Sequence, residues 1–249
     1  MRPEERYQQI LQVLDEEDFV TVKTLSKRFY VSYPTVYRDL REMENQGLVI
    51  RGNGGAVRVA EEKANLPLDF RKTVQAQEKA KIAQKATELI RPHATIFLDA
   101  STTAAGMAEY LDPGMGITVL TNGLMTAVRL KETGIRTFCV GGSLIGNSVA
   151  VVGKLTDDFL EHFSIDMLFF SALGVDERGL IIDSSEQESF LRRRLLQKPL
   201  TSVFLCDSRT FGKRSVFRLA SLDMIDYVVT DAPLPEHYPQ PRKGLLTVF

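Results

Sequence analysis

From residue 95 onward, short and almost continuous apolar runs recur along the chain, and most are separated by stretches long enough for a helix. Runs in which apolar residues do not alternate with polar ones are typical of strands buried on both faces of a parallel sheet. The six predicted strands lie within residues 95–99, 117–122, 136–142, 166–173, 201–207 and 226–231. Strands that alternate with helices indicate an α/β domain, here large enough to bury its own core.

Residues 1–58 show a different pattern, in which three short helices precede a hairpin. Apolar residues at positions 7, 10, 11 and 14 recur at helical spacing, so an amphipathic helix is predicted over residues 4–17. A second helix is predicted over residues 22–29. A third is expected to begin after Ser32, a residue type favoured at N-caps, with Pro34 in its first turn and Gly47 at its end.

Two β-prone segments follow the third helix and flank a turn rich in glycine and asparagine. Residues 48–51 and 56–59 are therefore predicted to pair as a hairpin. Three helices and a hairpin make up the winged helix-turn-helix pattern. We expect three regions in the chain: a winged helix-turn-helix domain at 1–58, a polar linker at 59–75, and the α/β domain at 76–249, which opens with a helix over 76–90.

The third predicted helix carries a polar and basic outer face. With Val36, Leu40 and Met43 turned towards the core, the opposite side is left to tyrosine, threonine and arginine. An α-helix fits the major groove of DNA, where arginine reaches guanine edges or phosphate, and threonine or tyrosine contacts phosphate. The residues predicted to contact double-stranded DNA are Ser32, Tyr33, Thr35, Tyr37, Arg38, Arg41 and Arg51. The alternative is a winged helix that contacts protein, with its arginines on a solvated surface.

The charge of the chain is unevenly distributed. The whole sequence has a formal net charge of -1, which by itself argues against a nucleic-acid-binding protein. Residues 19–59, however, hold seven lysines and arginines against three acidic residues, a net charge of +4. A local basic surface binds phosphate even when the chain as a whole is nearly neutral. The charge distribution therefore favours DNA binding by the segment that holds the third helix and the hairpin.

Small and hydrogen-bonding residues follow the predicted strands of the second domain. Ligands of open parallel sheets bind beyond the carboxyl ends of the strands, and a hydroxyl-rich turn that opens a helix suits a phosphate. The residues predicted to bind an effector there are Asp99, Ser101, Thr102, Thr103, Asn122, Asp207, Arg209 and Lys213. The alternative is that such residues only satisfy the geometry of the turns. Four turns of this kind at corresponding strand ends favour a site.

The same turns also allow an enzyme as an alternative. Aldose–ketose isomerisation needs a carboxylate base and groups that stabilise an enediolate, and Glu186 or Glu188 with Asp99 and Asp207 provide the residue types. Residues 183–196 are more simply interpreted as an amphipathic helix with an acidic start and a basic end, as the helix dipole favours. An isomerase would also have no evident use for a DNA-reading domain. We therefore expect no enzymatic activity.

Composition excludes several other classes of protein. Cys139 and Cys206 each lie inside an apolar run and are expected to be reduced core residues, and three scattered histidines predict neither a metal site nor a cofactor. No apolar run approaches the roughly 20 residues of a membrane helix. The charged start of the sequence shows no secretory signal, so a cytoplasmic protein is expected.

The N-terminal motif resembles that of the DeoR/GlpR-type family of bacterial transcription regulators. Matching residues are Val31-Ser32, Thr35-Val36, Arg38-Asp39-Leu40 and, after the hairpin, Gly54-Gly55-Ala56. Tyr37 stands where the family usually has the first of two arginines. The resemblance implies a winged helix-turn-helix domain that binds an operator.

The resemblance extends to the second domain. Residues 101–103, 121–122, 141–142 and 207–212 are similar to turns of the family's effector domain, although Thr210 replaces the usual lysine and has Arg209 and Lys213 near it. The resemblance implies a Rossmann-like fold related to ribose-5-phosphate isomerase and coenzyme A transferases. It also implies a repressor of carbohydrate genes, controlled by a phosphorylated sugar or sugar-like metabolite. A homodimer or homotetramer is expected, because two-fold oligomers match paired operator half-sites.

Overall fold

A computed structural model describes residues 3–17, 19–45, 48–58, 68–145 and 148–248 of the chain. The chain forms two compact units, Met1–Val74 and Gln75–Phe249. Part of the predicted linker, residues 59–67, lies outside the described residues, as does Gly47, the predicted end of the third helix. The remainder of that linker was expected to be irregular, but it contains a short helix over Leu68–Thr73.

The N-terminal unit has the predicted order of helices and strands. Its described elements are α1 (Pro3–Glu16), β1 (Val20–Thr21), α2 (Val22–Phe29), α3 (Tyr33–Asn45), β2 (Val49–Gly52), β3 (Gly55–Arg58) and α4 (Leu68–Thr73). Asn53 and Gly54 both adopt left-handed backbone angles in the β2–β3 turn, as the tight turns of hairpins require. The two-residue strand β1 pairs with β3 and adds a third strand that the sequence did not predict.

The apolar faces of these helices meet in one core beneath the hairpin. Ile10 and Leu14 of α1, Leu25 of α2, and Leu40 and Met43 of α3 have no exposed surface. The helical spacing that predicted these faces is therefore confirmed. Thr21 begins α2 as an N-cap, because its Oγ1 accepts a hydrogen bond of 3.0 Å from the backbone N–H of Thr24.

The C-terminal unit alternates strands and helices. Its described elements are α5 (Ala76–Thr87), β4 (Thr95–Leu98), α6 (Thr102–Gly106), β5 (Thr118–Thr121), α7 (Leu124–Lys131), β6 (Arg136–Cys139), β7 (Ser143–Ile145), β8 (Ala150–Val152), α8 (Lys154–Leu160), β9 (Met167–Phe170), β10 (Gly174–Val175), β11 (Leu180–Asp183), α9 (Glu186–Leu196), β12 (Thr201–Cys206), β13 (Phe217–Ser221), β14 (Tyr227–Thr230) and β15 (Gly244–Thr247).

Seven of these strands form one parallel sheet in the order β15-β14-β12-β9-β4-β5-β6. Successive residues of a strand enter opposite cores: Ile96 and Leu98 pack on one face of the sheet, whereas Phe97 packs on the other. Because both faces are covered, the central strands have apolar residues at successive positions rather than only at alternate ones. The predicted α/β class and all six predicted strands are confirmed.

The order of strands reverses between β4 and β9. From β4 the chain builds outward through β5 and β6, then returns to the other side of β4 and continues through β9, β12, β14 and β15. In open α/β sheets the crevice beyond such a reversal is the usual place for a ligand. The residues that follow β4, β9 and the strands next to them are therefore the ones expected to contact a ligand.

Several elements of this unit were not predicted. The pair β7–β8, the antiparallel sheet β10-β11-β13 and the edge strand β15 all consist of two to five residues. Segments this short carry too few residues for a periodic signal. The expectation that Cys139 is a core residue is wrong, because it ends the edge strand β6 and is exposed, whereas Cys206 is buried. Among the described helices, none combines the length and the apolar character needed to cross a membrane.

Candidate functional site

The outer face of α3 presents the side chains expected to contact DNA. Tyr33 and Tyr37 lie one helical turn apart and are 49% and 48% exposed. Arg38 and Arg41 are exposed, and Thr35 is half-buried. The face is therefore accessible, and it combines two phenols with two guanidinium groups.

Ser32 begins α3 in the predicted position. Its Oγ accepts a hydrogen bond of 3.4 Å from the backbone N–H of Thr35, and the two hydroxyl oxygens lie 2.9 Å apart. Ser32 itself is exposed. The cap thus fixes the start of the helix and leaves the Ser32 hydroxyl accessible at its N-terminus.

Arg51 differs from the other predicted DNA contacts because it is paired within the protein. Its backbone N–H and its Nε both donate to the Glu44 carboxylate, at 3.1 and 2.9 Å. This pair joins the first strand of the hairpin to the end of α3. Glu44 balances the charge of Arg51, so we infer that Arg51 chiefly positions the hairpin against the helix.

Asp39 is buried, although the charge count from sequence treated it as a surface residue. It is 1% exposed and pairs with Arg6 of α1, which is 5% exposed; Nη2 of Arg6 donates to Oδ1 of Asp39 at 2.8 Å, and Nε donates to Oδ2. Asp39 lies three residues after Val36 and therefore shares the inward face of α3. Its charge is neutralised inside the unit and does not reduce the positive charge of the outer face.

The second group of predicted residues lies at the carboxyl edge of the parallel sheet. Pairing of Leu98 with Thr121 and with Phe169 places residues 99–103, 122 and 171 after neighbouring strands. Residue 207 follows β12, the next strand beyond β9. Three of the four predicted turns, after β4, β5 and β12, therefore lie at the carboxyl edge on either side of the reversal between β4 and β9, together with residue 171. The fourth, at residues 141–142, follows the edge strand β6.

Asp99 lies beneath this edge and is fully engaged by the protein. It accepts hydrogen bonds from the backbone N–H and hydroxyl of Ser101 on one oxygen, and from the backbone N–H of Ser171 at 3.3 Å on the other. Nε and Nη2 of Arg192 reach the same second oxygen at 2.9 and 2.8 Å. Through these contacts Asp99 joins β4, the turn after it, β9 and α9.

Arg192 was missed by the sequence analysis. It lies on the buried face of α9, where Nη1 donates to Asp183 at 2.5 Å and Nη2 lies 3.4 Å from Glu188. One guanidinium thus faces three carboxylates, of Asp99, Asp183 and Glu188, all buried. Two features of the sequence could have indicated that Arg192 is buried and paired. It lies between Leu191 and Leu195, which form the apolar stripe of the helix, and it follows Glu188 by four residues, the spacing of an ion pair on one helix face.

Burial and ion pairing act in opposite directions on these groups. Burial raises the pKa of Asp99, and the Arg192 guanidinium and the Ser101 hydrogen bonds oppose that rise. Burial alone lowers the pKa of Arg192, but the neighbouring carboxylates, Asp99 first among them, raise it overall. Arg192 is therefore charged, and it holds the carboxylates in place.

The three hydroxyl residues of the turn after Asp99 differ in their exposure to solvent. Ser101 is buried and caps α6, its Oγ accepting from the N–H of Ala104 at 3.3 Å. Thr103 is also buried, whereas Thr102 is half-buried and begins the helix. Thr102 is therefore the hydroxyl of this turn that is best placed to meet a ligand.

Asn122 follows β5 beside this turn and is buried with an unsatisfied group. Within the described residues its Oδ1 has no hydrogen-bond partner, although the side chain is only 2% exposed. Gly123 next to it lies against the main chain of the neighbouring turn, since a Cβ there would approach Cα of Ala100 to 3.1 Å. A buried amide oxygen without a partner is costly, and a ligand that donates a hydrogen bond would satisfy it.

Three predicted effector contacts, Asp207, Arg209 and Lys213, follow β12 along the chain. Asp207 is buried and accepts from the backbone N–H of Arg209 at 3.1 Å. Burial raises its pKa, and the charge of Lys79 opposes that rise. Arg209 and Lys213 are exposed. Lys213 packs over Gly174, where a Cβ would approach its Cγ to 2.6 Å. Two cations thus stand near the position that Thr210 occupies.

Comparison with known proteins gives matches over nearly the whole chain. The DeoR-like helix-turn-helix domain matches residues 6–62, and the DeoR C-terminal sensor domain matches residues 74–232. The glycerol-3-phosphate regulon repressor of Escherichia coli is 30% identical over 94% of this chain and 93% of its own length. The L-fucose operon activator of Haemophilus influenzae is 33% identical over 92% of each chain. Among solved structures, a D-ribose-5-phosphate isomerase is similar over 55% of this chain and 54% of its own, at 17% identity and a TM-score of 0.41.

Proposed function

The chain belongs to the DeoR family of helix-turn-helix transcription regulators, and we propose that it represses carbohydrate genes under the control of a phosphorylated sugar. In this proposal the N-terminal unit binds an operator in the cytoplasm, and the C-terminal unit binds the effector. The observation that carries the proposal is the accessible face of α3, with two arginines and two tyrosines.

The proposed DNA contacts follow from exposure and charge. Ser32, Tyr33, Thr35, Tyr37, Arg38 and Arg41 lie on or beside the outer face of α3, and Arg51 supports the hairpin. Residues early in a reading helix make most contacts with bases, and the others fix its register through phosphates. Since Tyr37 stands where relatives have arginine, the operator sequence is expected to be this protein's own.

The proposed effector site combines Thr102, Asn122, Arg209 and Lys213. The Thr102 hydroxyl donates to a phosphate, and the two cations neutralise it. The unsatisfied Oδ1 of Asn122 accepts from a sugar hydroxyl. Asp99, Ser101, Thr103 and Asp207, which were predicted to bind the effector, are buried and hold the turns in place.

The enzymatic alternative loses support from the same contacts. Two of the carboxylates considered as a catalytic base, Asp99 and Glu188, are buried and held in place by ion pairs with Arg192. A general base must reach the carbon-bound proton of a substrate. We therefore propose that the crevice binds its sugar phosphate without converting it.

Regulation requires that the effector distinguish two states of the protein. A ligand shifts an equilibrium only through its different affinity for the two states, and here these are the operator-bound and free arrangements of the N-terminal units. We propose a homodimer or homotetramer, because two-fold symmetry supplies two reading helices for paired half-sites.

Changing Thr102 to valine is expected to weaken the response to effector without weakening DNA binding. Valine keeps the shape of threonine but removes the hydroxyl that donates to phosphate. The loss of a hydrogen bond to a charged group raises the effector concentration needed for half-maximal release by about tenfold. The measurement is fluorescence anisotropy of a labelled operator, titrated with the phosphorylated sugar that stabilises the protein most in a thermal-shift screen.

The matched control is Thr87→Val, at the end of α5. The Thr87 hydroxyl donates to the carbonyl of Gln84 at 2.7 Å and lies on an exposed surface. This variant is expected to respond as the wild type does. Equal effector responses of Thr102→Val and wild type would remove Thr102 from the site.

A further inference from the structure

Tyr30 adopts a conformation that is unfavourable for tyrosine. It ends α2 with φ 54° and ψ 41°, in the left-handed region, and its side chain is 95% exposed. Glycine is the usual residue at this position of a helix end, because any Cβ is strained there. A bulky residue at positive φ, with no burial to compensate, indicates a role for the side chain outside the fold.

The turn that carries Tyr30 is firmly held. The backbone N–H groups of Tyr30 and Val31 both donate to the carbonyl of Ser26, the second at 3.2 Å, and the Ser26 hydroxyl donates to the carbonyl of Val31 at 2.6 Å. These bonds close the end of α2 and fix the path to α3. The direction in which Tyr30 leaves the main chain is therefore set by the fold.

Tyr30 lies where two basic or polar helix faces meet. Lys23 and Lys27 of α2, both exposed, precede it by seven and three residues. It also precedes Tyr33, the first residue of α3, by three positions. In helix-turn-helix proteins the first helix of the motif crosses the DNA backbone while the second enters the major groove. A residue between the two helices passes close to the backbone.

We propose that Tyr30 binds DNA, with its hydroxyl donating a hydrogen bond to a backbone phosphate beside the groove that α3 enters. The proposal rests on the proposed operator binding and adds a contact outside the reading helix. Phenol is uncharged, so the contact strengthens binding without releasing a counterion.

The test compares Tyr30→Gly, Tyr30→Phe and Tyr30→Asn in the full chain. Tyr30→Gly relieves the strain, so we expect its melting temperature to rise by about 2–4 °C while its affinity for a duplex selected by the wild type falls about tenfold. Tyr30→Phe removes only the hydroxyl that makes the proposed contact, so it is expected to lose about as much affinity as Tyr30→Gly, with an unchanged salt dependence. Asparagine adopts the left-handed conformation readily, but its side chain is too short to reach the phosphate. Tyr30→Asn is therefore expected to bind the duplex as weakly as Tyr30→Gly does.

His93→Gly is the matched control, because His93 also has a positive φ, of 64°, and is exposed in the other unit. It is expected to bind the duplex as the wild type does. The proposal is overturned if Tyr30→Gly and Tyr30→Asn bind within twofold of the wild type. A wild type that selects no duplex would instead refute operator binding itself, so the two failures are distinguishable.

Discussion

Replacing Arg192 by methionine is expected to destabilise the C-terminal unit by about 3–5 kcal/mol, as the loss of one partner from a buried ion pair does. Methionine fills a similar volume but leaves the carboxylates of Asp99, Asp183 and Glu188 buried without a cation. The loss is expected to be smaller at acid pH. Without Arg192 the pKa of Asp99 rises further above its unfolded value, so protonation as the pH falls restores part of the stability.

The measurement is urea unfolding followed by circular dichroism at neutral and acid pH. Arg194→Met is the control, because Arg194 lies two residues along the same helix and forms ion pairs with Asp157 and Glu161 while 42% exposed. Partly exposed pairs contribute at most about 1 kcal/mol, and Arg194→Met is expected to show a loss of that size. Equal losses for the two variants would contradict the structural role assigned to Arg192.

Replacing Arg38 by alanine is expected to lower the affinity for operator DNA about tenfold or more, and to reduce the slope of log affinity against log salt by about one. Arg38 is exposed on the outer face of α3, beside Tyr37. Its guanidinium is proposed to neutralise a phosphate or bind a guanine edge, and either contact is lost with the side chain.

Arg28→Ala is the matched control in the same unit. Arg28 is exposed but lies 3.8 Å from the carboxylates of Glu16 and Glu17, which direct it towards the acidic end of α1. Its removal is expected to change the affinity and the salt slope less than Arg38→Ala does. An Arg38→Ala titration that matches the wild type in both quantities would remove Arg38 from the interface.

Local periodicity predicted most of the fold. A strand such as β9 is apolar at every position because the sheet is covered on both faces, and that composition is visible in the sequence itself. The first three helices of the N-terminal unit were predictable from the spacing of apolar residues such as Leu14, Leu25 and Leu40, and the tight turn from Asn53 and Gly54. The strand β1 was not predicted, because two residues are too few to show a periodic pattern and form a strand only through pairing with β3.

Long-range ion pairs account for most of what sequence reasoning missed. Arg6 and Asp39 are 33 residues apart, and Arg192 and Asp99 are 93 residues apart. Nothing local distinguishes these buried charges from solvated ones until the helices and strands are packed. Asp99 is an example: its position at the end of a strand was predicted from sequence, whereas its partner Arg192 comes from α9 and was not predicted.

The most direct test of the central claim is selection of DNA duplexes from a random-sequence library by the full chain, followed by titration with phosphorylated sugars and their unphosphorylated counterparts. The account predicts that an inverted repeat is enriched, and that at least one phosphorylated sugar changes its affinity about tenfold while the free sugar does not. It is contradicted if no sequence is enriched, or if the protein converts a sugar phosphate and binds no duplex.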